Sequence, residues 1–439
     1  MIFGTDGIRG IVDKSINSKL VYNVGKAYAK YIDNHNLKKL VIVGKDTRTS
    51  GDTYFSAIAA GLSDYGVDVV YVGVVSTPMI SFLVSKTVVG GGVMITASHN
   101  DYSYNGVKIF SNIGTKLGKT DEIEIDSYIN SRLKPSKIKG TITFDNIMPT
   151  VYTDYLKSEC KCNLENITLV VDCANGSNYN VAPHVFKSFG ANVIKISCDN
   201  DGANINNNCG ANHVENLKAE VLRHKADYGI AFDGDGDRLR LILKNGTILD
   251  GDDLLYVLAM YFKQRNKLNS LTVVGTIMSN MGLEKSLKKQ GVNLIRCDVG
   301  DKNVIDMLGK KRLIVGGEPS GHICLYEHNT TCDALFNCLY LLKIIVDNNL
   351  DISGLLKDLY KYPSTIKNIP VPQSVRTSWD KNEEIKNQLK RLQIDNPNAR
   401  IVVRPSGTEP MIRIYVEGSS EFENILLIQK IEKLILDIK

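Results

Sequence analysis

The feature of this sequence that most constrains its fold is a repeated unit of strand, loop and helix. Short runs rich in valine and isoleucine each end in a glycine-rich or polar loop, and a stretch with helical spacing follows. Examples are KKLVIVGKDTR (38–48), ITLVVDCANGS (167–177) and LTVVGTIMSN (271–280). Continuous apolar strands that alternate with helices are typical of parallel sheets covered on both faces. The unit occurs in three successive segments of similar size, which predicts three α/β domains.

The last part of the chain follows a different pattern. The stretch ARIVVRPSGTEPMIRIYVEG (399–418) indicates two strands around a loop, and an amphipathic helix is predicted from Glu421. Proline-rich KYPSTIKNIPVPQS (361–374) predicts a linker before it. We therefore expect three mixed α/β domains with largely parallel sheets, followed by a smaller α+β domain. The expected boundaries are 1–150, 151–250, 251–366 and 367–439.

Composition narrows the class of protein. The net charge of +5 is small for 439 residues, and lysine and arginine are spread along the chain, which argues against a nucleic-acid partner. The N-terminal MIFGTDGIRG does not resemble a signal peptide, and no apolar run approaches a membrane span. The nine cysteines form no C-x-x-C pair, which predicts reduced, mostly buried thiols. We therefore expect a cytoplasmic protein with a small anionic ligand and no membrane partner.

The first of four candidate site loops is TASHN (96–100). Ser98 follows a predicted parallel strand, at the edge where open α/β sheets bind ligands. One interpretation makes Ser98 a covalent phosphate carrier, with His99 and Lys108 handling protons or charge nearby. The other is a polar loop whose serine caps the next helix. An esterase elbow is excluded because no G-x-S-x-G surrounds Ser98.

The second loop, FDGDGDR (232–238), carries three aspartates that alternate with glycines after an apolar strand: Asp233, Asp235 and Asp237. Three crowded carboxylates repel one another unless a cation neutralises them, and oxygen ligands alone select a hard divalent ion such as Mg²⁺. An EF-hand is excluded, because Arg238 stands where that loop needs glycine and Lys244 where it needs glutamate. A solvated acidic turn remains the alternative.

The third loop, GGEPSGH (316–322), offers a carboxylate, a hydroxyl and an imidazole in Glu318, Ser320 and His322. Such a set suits the hydroxyls of a sugar, although a simple glycine-rich turn fits the pattern as well.

The fourth loop, RPSGTEPMIR (404–413), combines two arginines, two hydroxyls and a glycine that could grip a phosphate. The residues concerned are Arg404, Ser406, Gly407, Thr408 and Arg413. A hairpin turn with incidental arginines is the alternative. A Walker loop is absent: GTKLGKT (114–120) comes nearest, but three residues separate its glycines where four are required.

Together the four loops offer a serine carrier, a divalent metal, a sugar clamp and a phosphate clamp. These groups suit phosphoryl transfer, which needs mainly positioning and charge neutralisation. Since each loop lies on a different predicted domain, a site built from all four would lie in a central cleft that one domain could close.

In this order the four loops resemble those of the phosphohexomutase family of four-domain α/β enzymes, and the resemblance covers the whole chain from FGTDGIRG (3–10) onward. Four further stretches are similar to the branch of that family that acts on glucosamine phosphates. They are NINNNCGANH (204–213), GTIMSNMGLEKSL (275–287), VGDKNV (299–304) and NTTCDAL (329–335).

The resemblance implies a role for each loop residue. Ser98 would carry a phosphate that completes the Mg²⁺ shell of Asp233, Asp235 and Asp237, with one ion per chain. The groups implied to neutralise the phosphoryl group or to assist proton transfer are Arg9, Arg238, Lys108 and His99. The groups implied to bind substrate are Glu318, Ser320 and His322 at the sugar, and Arg404, Ser406, Gly407, Thr408 and Arg413 at the phosphate.

The implied reaction interconverts glucosamine 6-phosphate and glucosamine 1-phosphate, on the route to UDP-N-acetylglucosamine. Phospho-Ser98 would give its phosphate to the substrate, and the resulting hexose 1,6-bisphosphate, which is also the activator, would return the other one. The implied partner is a small phosphosugar, without nucleic acid or membrane, and the implied state is a monomer or a homodimer.

Two residues depart from the family pattern. Asp101 stands where the serine loop usually has proline, which adds a negative charge near a phosphate. Pro319 stands where the glucosamine branch commonly has glutamine or asparagine, which bears on the choice of sugar. Three alternatives therefore stay open: the same chemistry on mannose or glucose phosphates, a phosphatase with Asp233 as nucleophile, and a silent sugar-phosphate-binding protein.

Overall fold

The computed structural model describes residues 2–4, 6–405 and 411–437. The strands of the first sheet are β1 (Ile8–Ile11), β2 (Leu40–Lys45), β3 (Asp68–Val74), β4 (Gly91–Ile95), β5 (Tyr104–Phe110) and β6 (Ile142–Phe144). The helices around it are α1 (Ser18–Asn34), α2 (Gly51–Asp64), α3 (Thr77–Lys86) and α4 (Lys119–Ile129). The sheet has the order β1-β5-β4-β2-β3-β6, and only the pairs that β5 makes are antiparallel.

The second sheet repeats this plan. Its strands are β7 (Thr168–Asp172), β8 (Asn192–Ile196), β9 (Tyr228–Phe232), β10 (Leu239–Leu243) and β11 (Ile248–Leu249), in the order β11-β10-β9-β7-β8. Its helices are α5 (Met148–Glu159), α6 (Val181–Ser188) and α7 (Glu215–His224). Strands β7, β8 and β9 are parallel, and the hairpin strands β10 and β11 are antiparallel to their neighbours.

The third sheet has the order β13-β12-β14-β15, with only β15 antiparallel. Its strands are β12 (Thr272–Thr276), β13 (Asn293–Cys297), β14 (Val315–Gly317) and β15 (Ile323–Leu325). Its helices are α8 (Gly251–Gln264), α9 (Met281–Lys289), α10 (Asp301–Lys311), α11 (Ala334–Asn348) and α12 (Ile352–Leu356).

The C-terminal sheet is fully antiparallel. Its strands β16 (Ser364–Pro370), β17 (Arg400–Pro405) and β18 (Met411–Glu417) lie in the order β16-β18-β17. The helices beside it are α13 (Gln373–Ser378), α14 (Glu383–Asp395) and α15 (Glu421–Leu436). The predicted fold class is therefore confirmed: three mixed, largely parallel α/β sheets precede a smaller antiparallel α+β unit, and α15 begins at the predicted residue.

The apolar cores differ between these parts. One buried cluster runs through the first three sheets and includes Met79, Phe186 and Leu254. The C-terminal sheet has its own smaller cluster around Trp379 and Ile412. The first three sheets thus share apolar packing, and the C-terminal sheet is built separately.

One sequence expectation about the cysteines is wrong. Cys324 and Cys332 form a disulfide with their Cα atoms 4.7 Å apart. They come from β15 and from the loop before α11, which the fold brings side by side, and their spacing in sequence gave no sign of this. The other seven cysteines are free thiols, and all except Cys162 are buried. Among the described residues, no helix has the length and apolar character needed to cross a membrane.

Candidate active site

Ser98 lies just beyond the end of β4, with only 2% of its surface exposed. Its backbone is in the left-handed region at φ 53°, which a serine adopts only where surrounding structure enforces it. No helix follows it, because the chain turns directly into β5, so the interpretation of Ser98 as a helix cap is wrong. The Ser98 Oγ donates to Asp233 Oδ2 at 3.0 Å and lies 3.4 Å from His99 Nδ1.

The serine loop is held from two sides by residues that the sequence analysis did not single out. Arg48 is fully buried, and its guanidinium donates to the carbonyls of Ser98 at 2.9 Å, Asn100 at 2.8 Å and Tyr104 at 2.9 Å. From the second sheet, Asn206 Nδ2 donates to the same carbonyls of Ser98 and Asn100, each at 2.8 Å. Four of these bonds end on backbone oxygens of Ser98 and Asn100, so they fix the loop without using its side chains.

Asp101 turns away from the serine. Its side chain is exposed and accepts a hydrogen bond from the Ser103 backbone N–H at 2.8 Å. The carboxylate therefore closes a local turn on the outside of the loop. The added charge of this departure from the family pattern faces solvent.

The three loop aspartates converge as the sequence predicted. Ligand atoms of Asp233, Asp235 and Asp237 lie within 4.8 Å of one another, and all three side chains are buried. Burial, with repulsion from Asp237 and Asp235, raises the pKa of Asp233 to about 7. The Oδ1 atom of Asp235 makes no hydrogen bond within the described residues. A buried, partnerless carboxylate oxygen in an all-oxygen cluster fits a hard divalent cation such as Mg²⁺.

Lys108 lies among these carboxylates. Its Nζ is 2.8 Å from Asp235 Oδ2, 3.3 Å from Asp237 Oδ2 and 2.7 Å from Asp6 Oδ2. Burial opposes its charge, but the three carboxylates outweigh burial and hold the pKa of Lys108 well above its usual value. Lys108 is therefore a charged donor, placed to balance the acidic cluster.

The N-terminus of helix α3 also touches the metal loop. The backbone N–H of Thr77 donates to the carbonyl of Asp235 at 2.9 Å, and its hydroxyl donates to Asp235 Oδ2. Because helix N-termini favour negative charge, this contact suits the buried carboxylate of Asp235. Thr77 is 158 residues from its partner, so the sequence carried no signal for this contact.

The sugar loop reaches the same cluster through His322. Its Nε2 lies 3.0 Å from Asp237 Oδ1, and its Nδ1 lies 2.9 Å from Glu318 Oε2 and 3.2 Å from Ser320 Oγ. Burial lowers the pKa of His322, but Asp237 and Glu318 outweigh it and raise the pKa to about 10. The other Glu318 oxygen accepts the Gly300 N–H at 3.0 Å. Glu318 is thus oriented from both sides.

A cavity of about 840 Å³ opens in front of these groups. Its wall includes the arginines Arg9, Arg238, Arg240, Arg376, Arg404 and Arg413. Arg240 and Arg376 were not predicted. Arg240 lies on strand β10, two residues after Arg238, and side chains two residues apart along a strand share a face. So many guanidinium groups around one cavity favour an anionic ligand.

Two of the predicted arginines are oriented by groups of the site. Arg9 donates to Asn100 Oδ1 at 2.9 Å and to Asp6 Oδ2 at 3.2 Å, and Arg238 Nε lies 3.3 Å from His322 Nε2. Burial and the nearby guanidinium groups of Arg238 and Arg9 lower the pKa of His99 to about 2, so His99 is a neutral imidazole.

The phosphate clamp is described in part. Arg404 on β17 and Arg413 on β18 are direct cross-strand partners, and both line the cavity. Burial and the neighbouring charge of Arg413 lower the pKa of Arg404. Ser406, Gly407 and Thr408 lie outside the described residues. Two adjacent guanidinium groups repel each other unless an anion lies between them, which fits a phosphate site.

Comparison with known families finds one family along almost the whole chain. The segments 1–135, 150–246 and 250–362 match the alpha/beta/alpha domains I, II and III of phosphoglucomutase/phosphomannomutase. The segment 366–432 matches the C-terminal domain of the same family.

Curated relatives align over almost the full length. The phosphoglucosamine mutase of Clostridioides difficile (strain 630) is 38% identical over 425 residues, which cover 95% of either chain. The phosphoglucosamine mutase of Dictyoglomus turgidum is 40% identical, with 99% of this chain and 98% of the relative covered.

Solved structures show the same fold. A phosphoglucomutase/phosphomannomutase family protein from Burkholderia thailandensis superposes with a TM-score of 0.82 at 24% identity, covering 100% of this chain and 98% of the other. An Aspergillus fumigatus N-acetylphosphoglucosamine mutase, solved with GlcNAc-6P and magnesium, has a TM-score of 0.72 at 17% identity, with 100% and 96% covered.

Proposed function

Since the chain belongs to the phosphoglucomutase/phosphomannomutase family of isomerases, we propose that it interconverts glucosamine 6-phosphate and glucosamine 1-phosphate. Relatives that bear the name phosphoglucosamine mutase support the choice of sugar. The observation that carries the chemistry is the buried Ser98 Oγ, held 3.0 Å from Asp233 beside a cavity walled by arginines.

In this proposal Ser98 is the phosphoryl carrier. The P–O bond to Ser98 Oγ breaks while a P–O bond forms to the free hydroxyl of the substrate, which gives a 1,6-bisphosphate. The hydroxyl proton leaves to a group of the cleft, and Lys108 and His99 are the candidates to move protons at Ser98 Oγ. After the bisphosphate turns over, its other phosphate returns to Ser98, so atoms and charge balance without water or a nucleotide.

Mg²⁺, held by Asp233, Asp235, Asp237 and the phosphate of Ser98, would supply positive charge beside the transferring group. The protein would supply the remainder of that charge through Arg9 and Arg238, which both line the cavity. Such fixed cations are effective because they are oriented before the reaction begins.

Substrate binding falls to the other two loops. Glu318 and Ser320 would hold sugar hydroxyls, with His322 near the reacting one, and Arg404 and Arg413 would bind the phosphate that is not reacting. The clamp must accept either end of the sugar, because the bisphosphate has to turn over. Generic charge and hydroxyl groups, including the expected Ser406, Gly407 and Thr408, suit that task.

The wider setting belongs to the same proposal. We infer a cytoplasmic monomer or homodimer whose product serves the synthesis of UDP-N-acetylglucosamine, with a hexose 1,6-bisphosphate as activator. Relatives named phosphoglucosamine mutase, aligned over almost the whole chain, support the reaction on which this setting rests.

Phosphorus NMR on one mixture tests both the reaction and the sugar. Protein, Mg²⁺ and catalytic bisphosphate are combined with the 6-phosphates of glucosamine, mannose and glucose. We expect the glucosamine 1-phosphate signal to grow fastest and Ser98→Ala to abolish it. Faster growth of mannose or glucose 1-phosphate would overturn the sugar but keep the mechanism. Free phosphate alone, unaffected by Ser98→Ala, would indicate a phosphatase with Asp233 as nucleophile, and no turnover at all would indicate a silent binder.

A further inference from the structure

Lys116 is a nearly buried lysine that the proposed mechanism does not use. It lies in the GTKLGKT segment, between β5 and α4, and its side chain is 10% exposed. Its Nζ is 2.8 Å from both carboxylate oxygens of Asp301 and also pairs with Asp6 Oδ1. Asp6 and Asp301 line the cavity, and Lys116 lies behind that wall. The Lys116 ammonium therefore connects two parts of the cavity wall that belong to different sheets.

The Asp6 side leads to the phosphoryl-transfer groups. While Asp6 Oδ1 pairs with Lys116, its Oδ2 lies 2.7 Å from Lys108 Nζ and accepts from Arg9 at 3.2 Å. Asp6 is therefore a carboxylate bridge between Lys116 and two cations of the site. Loss of the Lys116 charge would free one Asp6 oxygen and let the carboxylate rotate away from Lys108 or Arg9.

The Asp301 side leads to the sugar loop. Asp301 begins helix α10, and the residue before it, Gly300, donates its N–H to Glu318 Oε1 at 3.0 Å. Glu318 in turn contacts His322 at 2.9 Å, and His322 contacts Asp237 at 3.0 Å. The backbone that Lys116 anchors thus sets the orientation of the sugar-binding carboxylate.

These contacts close a ring. From Lys116 it runs through Asp301, Gly300, Glu318, His322, Asp237, Lys108 and Asp6, and it returns to Lys116. The ring crosses from the first sheet to the third, then to the second and back to the first. Closed rings of buried charged groups are stiff, because no member can move without leaving another charge unpaired.

We propose that Lys116 is a positioning residue for phosphoryl transfer, which fixes the sugar loop relative to Arg9 and Lys108. This inference rests on the proposed mutase function. It predicts that loss of Lys116 harms turnover more than binding, because Lys116 does not line the cavity. Misplacement of reacting groups by about 1 Å can cost on the order of 10²-fold in rate.

A merely structural ion pair across the same interface is the alternative, and Lys302 provides the matched control. Lys302, on α10, also connects the third sheet to the first. Its Nζ donates to the carbonyl of Leu117 and lies 3.4 Å from Glu122 Oε1. Its partners do not belong to the ring. If Lys116 only stabilised the packing of the two domains, loss of either lysine would have the same effect on turnover.

The test compares Lys116→Met, Lys116→Arg and Lys302→Met for kcat, KM and melting temperature. In Lys116→Met we expect kcat to fall by about 10²-fold with a smaller change in KM, and Lys116→Arg to recover part of that loss. Lys302→Met should keep kcat within about threefold of the wild type at a similar loss of melting temperature. Equal kcat losses in Lys116→Met and Lys302→Met, or a normal kcat in Lys116→Met, would overturn the proposal.

Hydrogen exchange separates this inference from the proposed function. The Gly300 amide, which donates to Glu318, should exchange faster in Lys116→Met than in the wild type and faster than in Lys302→Met, whatever sugar phosphate is turned over. A wild type without mutase activity would refute the function, while the exchange difference would still show the anchoring. Should Lys116→Met fail to fold, Asp301→Asn removes the same ion pair at constant volume and must give the same kcat loss and faster exchange. Unchanged exchange in a folded variant would overturn the inference.

Discussion

The serine and metal loops (96–100 and 232–238) and the C-terminal domain face the same cavity but are held in different ways. Buried groups from two sheets bind the serine loop, and these sheets share one apolar core. The C-terminal domain has its own core and docks on the third sheet through a few polar contacts. There Arg400 donates to the carbonyls of Ile277 at 2.8 Å and Ser279 at 2.9 Å, and Glu417 accepts the Met281 N–H at 3.0 Å.

This difference in how the two regions are held suits them to two different tasks. A rigid end suits chemistry, because fixed groups stabilise a transition state without reorganising. A separately built domain suits binding and release, because it can move as a unit while its core stays intact. We therefore expect damage at the serine and metal loops to lower kcat or stability, and damage at the C-terminal clamp to raise KM.

Substitution of a metal-loop aspartate should give the largest effect. Asp235→Asn removes a buried carboxylate that a divalent cation needs, and turnover should fall by about 10³-fold or more in saturating Mg²⁺. Asp154→Asn, on the exposed face of α5, is the matched control and should leave turnover unchanged. Steady-state rates across a Mg²⁺ titration measure both. Wild-type turnover in Asp235→Asn would remove the metal assignment.

Loss of Arg48 tests the rigidity of the serine loop. Arg48 and Asp46 form a fully buried ion pair at 2.9 Å. Arg48→Met leaves that carboxylate uncompensated, so we expect about 3–5 kcal/mol loss in the free energy of unfolding, measured by urea denaturation. Lys45→Met breaks the neighbouring pair with Asp52, whose side chain is 77% exposed, and should cost less than about 1 kcal/mol. Equal losses would show that the loop does not depend on this buried pair.

Substitution of an arginine in the C-terminal phosphate clamp should raise KM. Arg404→Ala removes the guanidinium that we propose binds the phosphate that is not reacting; a hydrogen bond to a charged group is worth about 1.5–3 kcal/mol, so KM should rise roughly 10- to 100-fold with little change in kcat. Lys367→Ala, on β16 of the same sheet, breaks only a surface pair with Glu432 and is the control. A fall in kcat without a rise in KM would contradict the division of tasks between the two regions.

The same comparison explains what the sequence could and could not predict. Most strands and helices followed from apolar periodicity, but the linker predicted over 361–374 is wrong, because strand β16 lies there and pairs with β18 despite its prolines. The loop side chains followed because metal and phosphate chemistry demands those residue types in close succession. The positioning residues escaped notice because Arg48 and Asn206 bind backbone carbonyls, which any sequence provides. Thr77 and Lys116 escaped for another reason: Thr77 is 158 residues from Asp235 and Lys116 is 185 residues from Asp301, and only the folded chain brings them together.

The smallest effect is expected at Pro319, inside the otherwise rigid sugar loop. Pro319 lines the cavity and lacks both a side-chain amide and a backbone N–H, so it cannot hydrogen-bond the amino group of glucosamine through its side chain. Pro319→Gln adds an amide worth about 0.5–1.5 kcal/mol, which should shift the kcat/KM ratio of glucosamine over glucose 6-phosphate upward by less than about tenfold.

Pro319→Ala is the control for that change, because it removes the ring without adding an amide. Competition between the two sugar phosphates, followed by phosphorus NMR, measures the ratio in each variant. A larger shift in Pro319→Gln than in Pro319→Ala would assign sugar choice to the amide itself. Equal shifts would instead assign it to the backbone that proline stiffens, because Glu318 and Ser320 flank this residue and share its loop. The sugar loop would then select its substrate by shape, because its backbone sets the positions of Glu318 and Ser320.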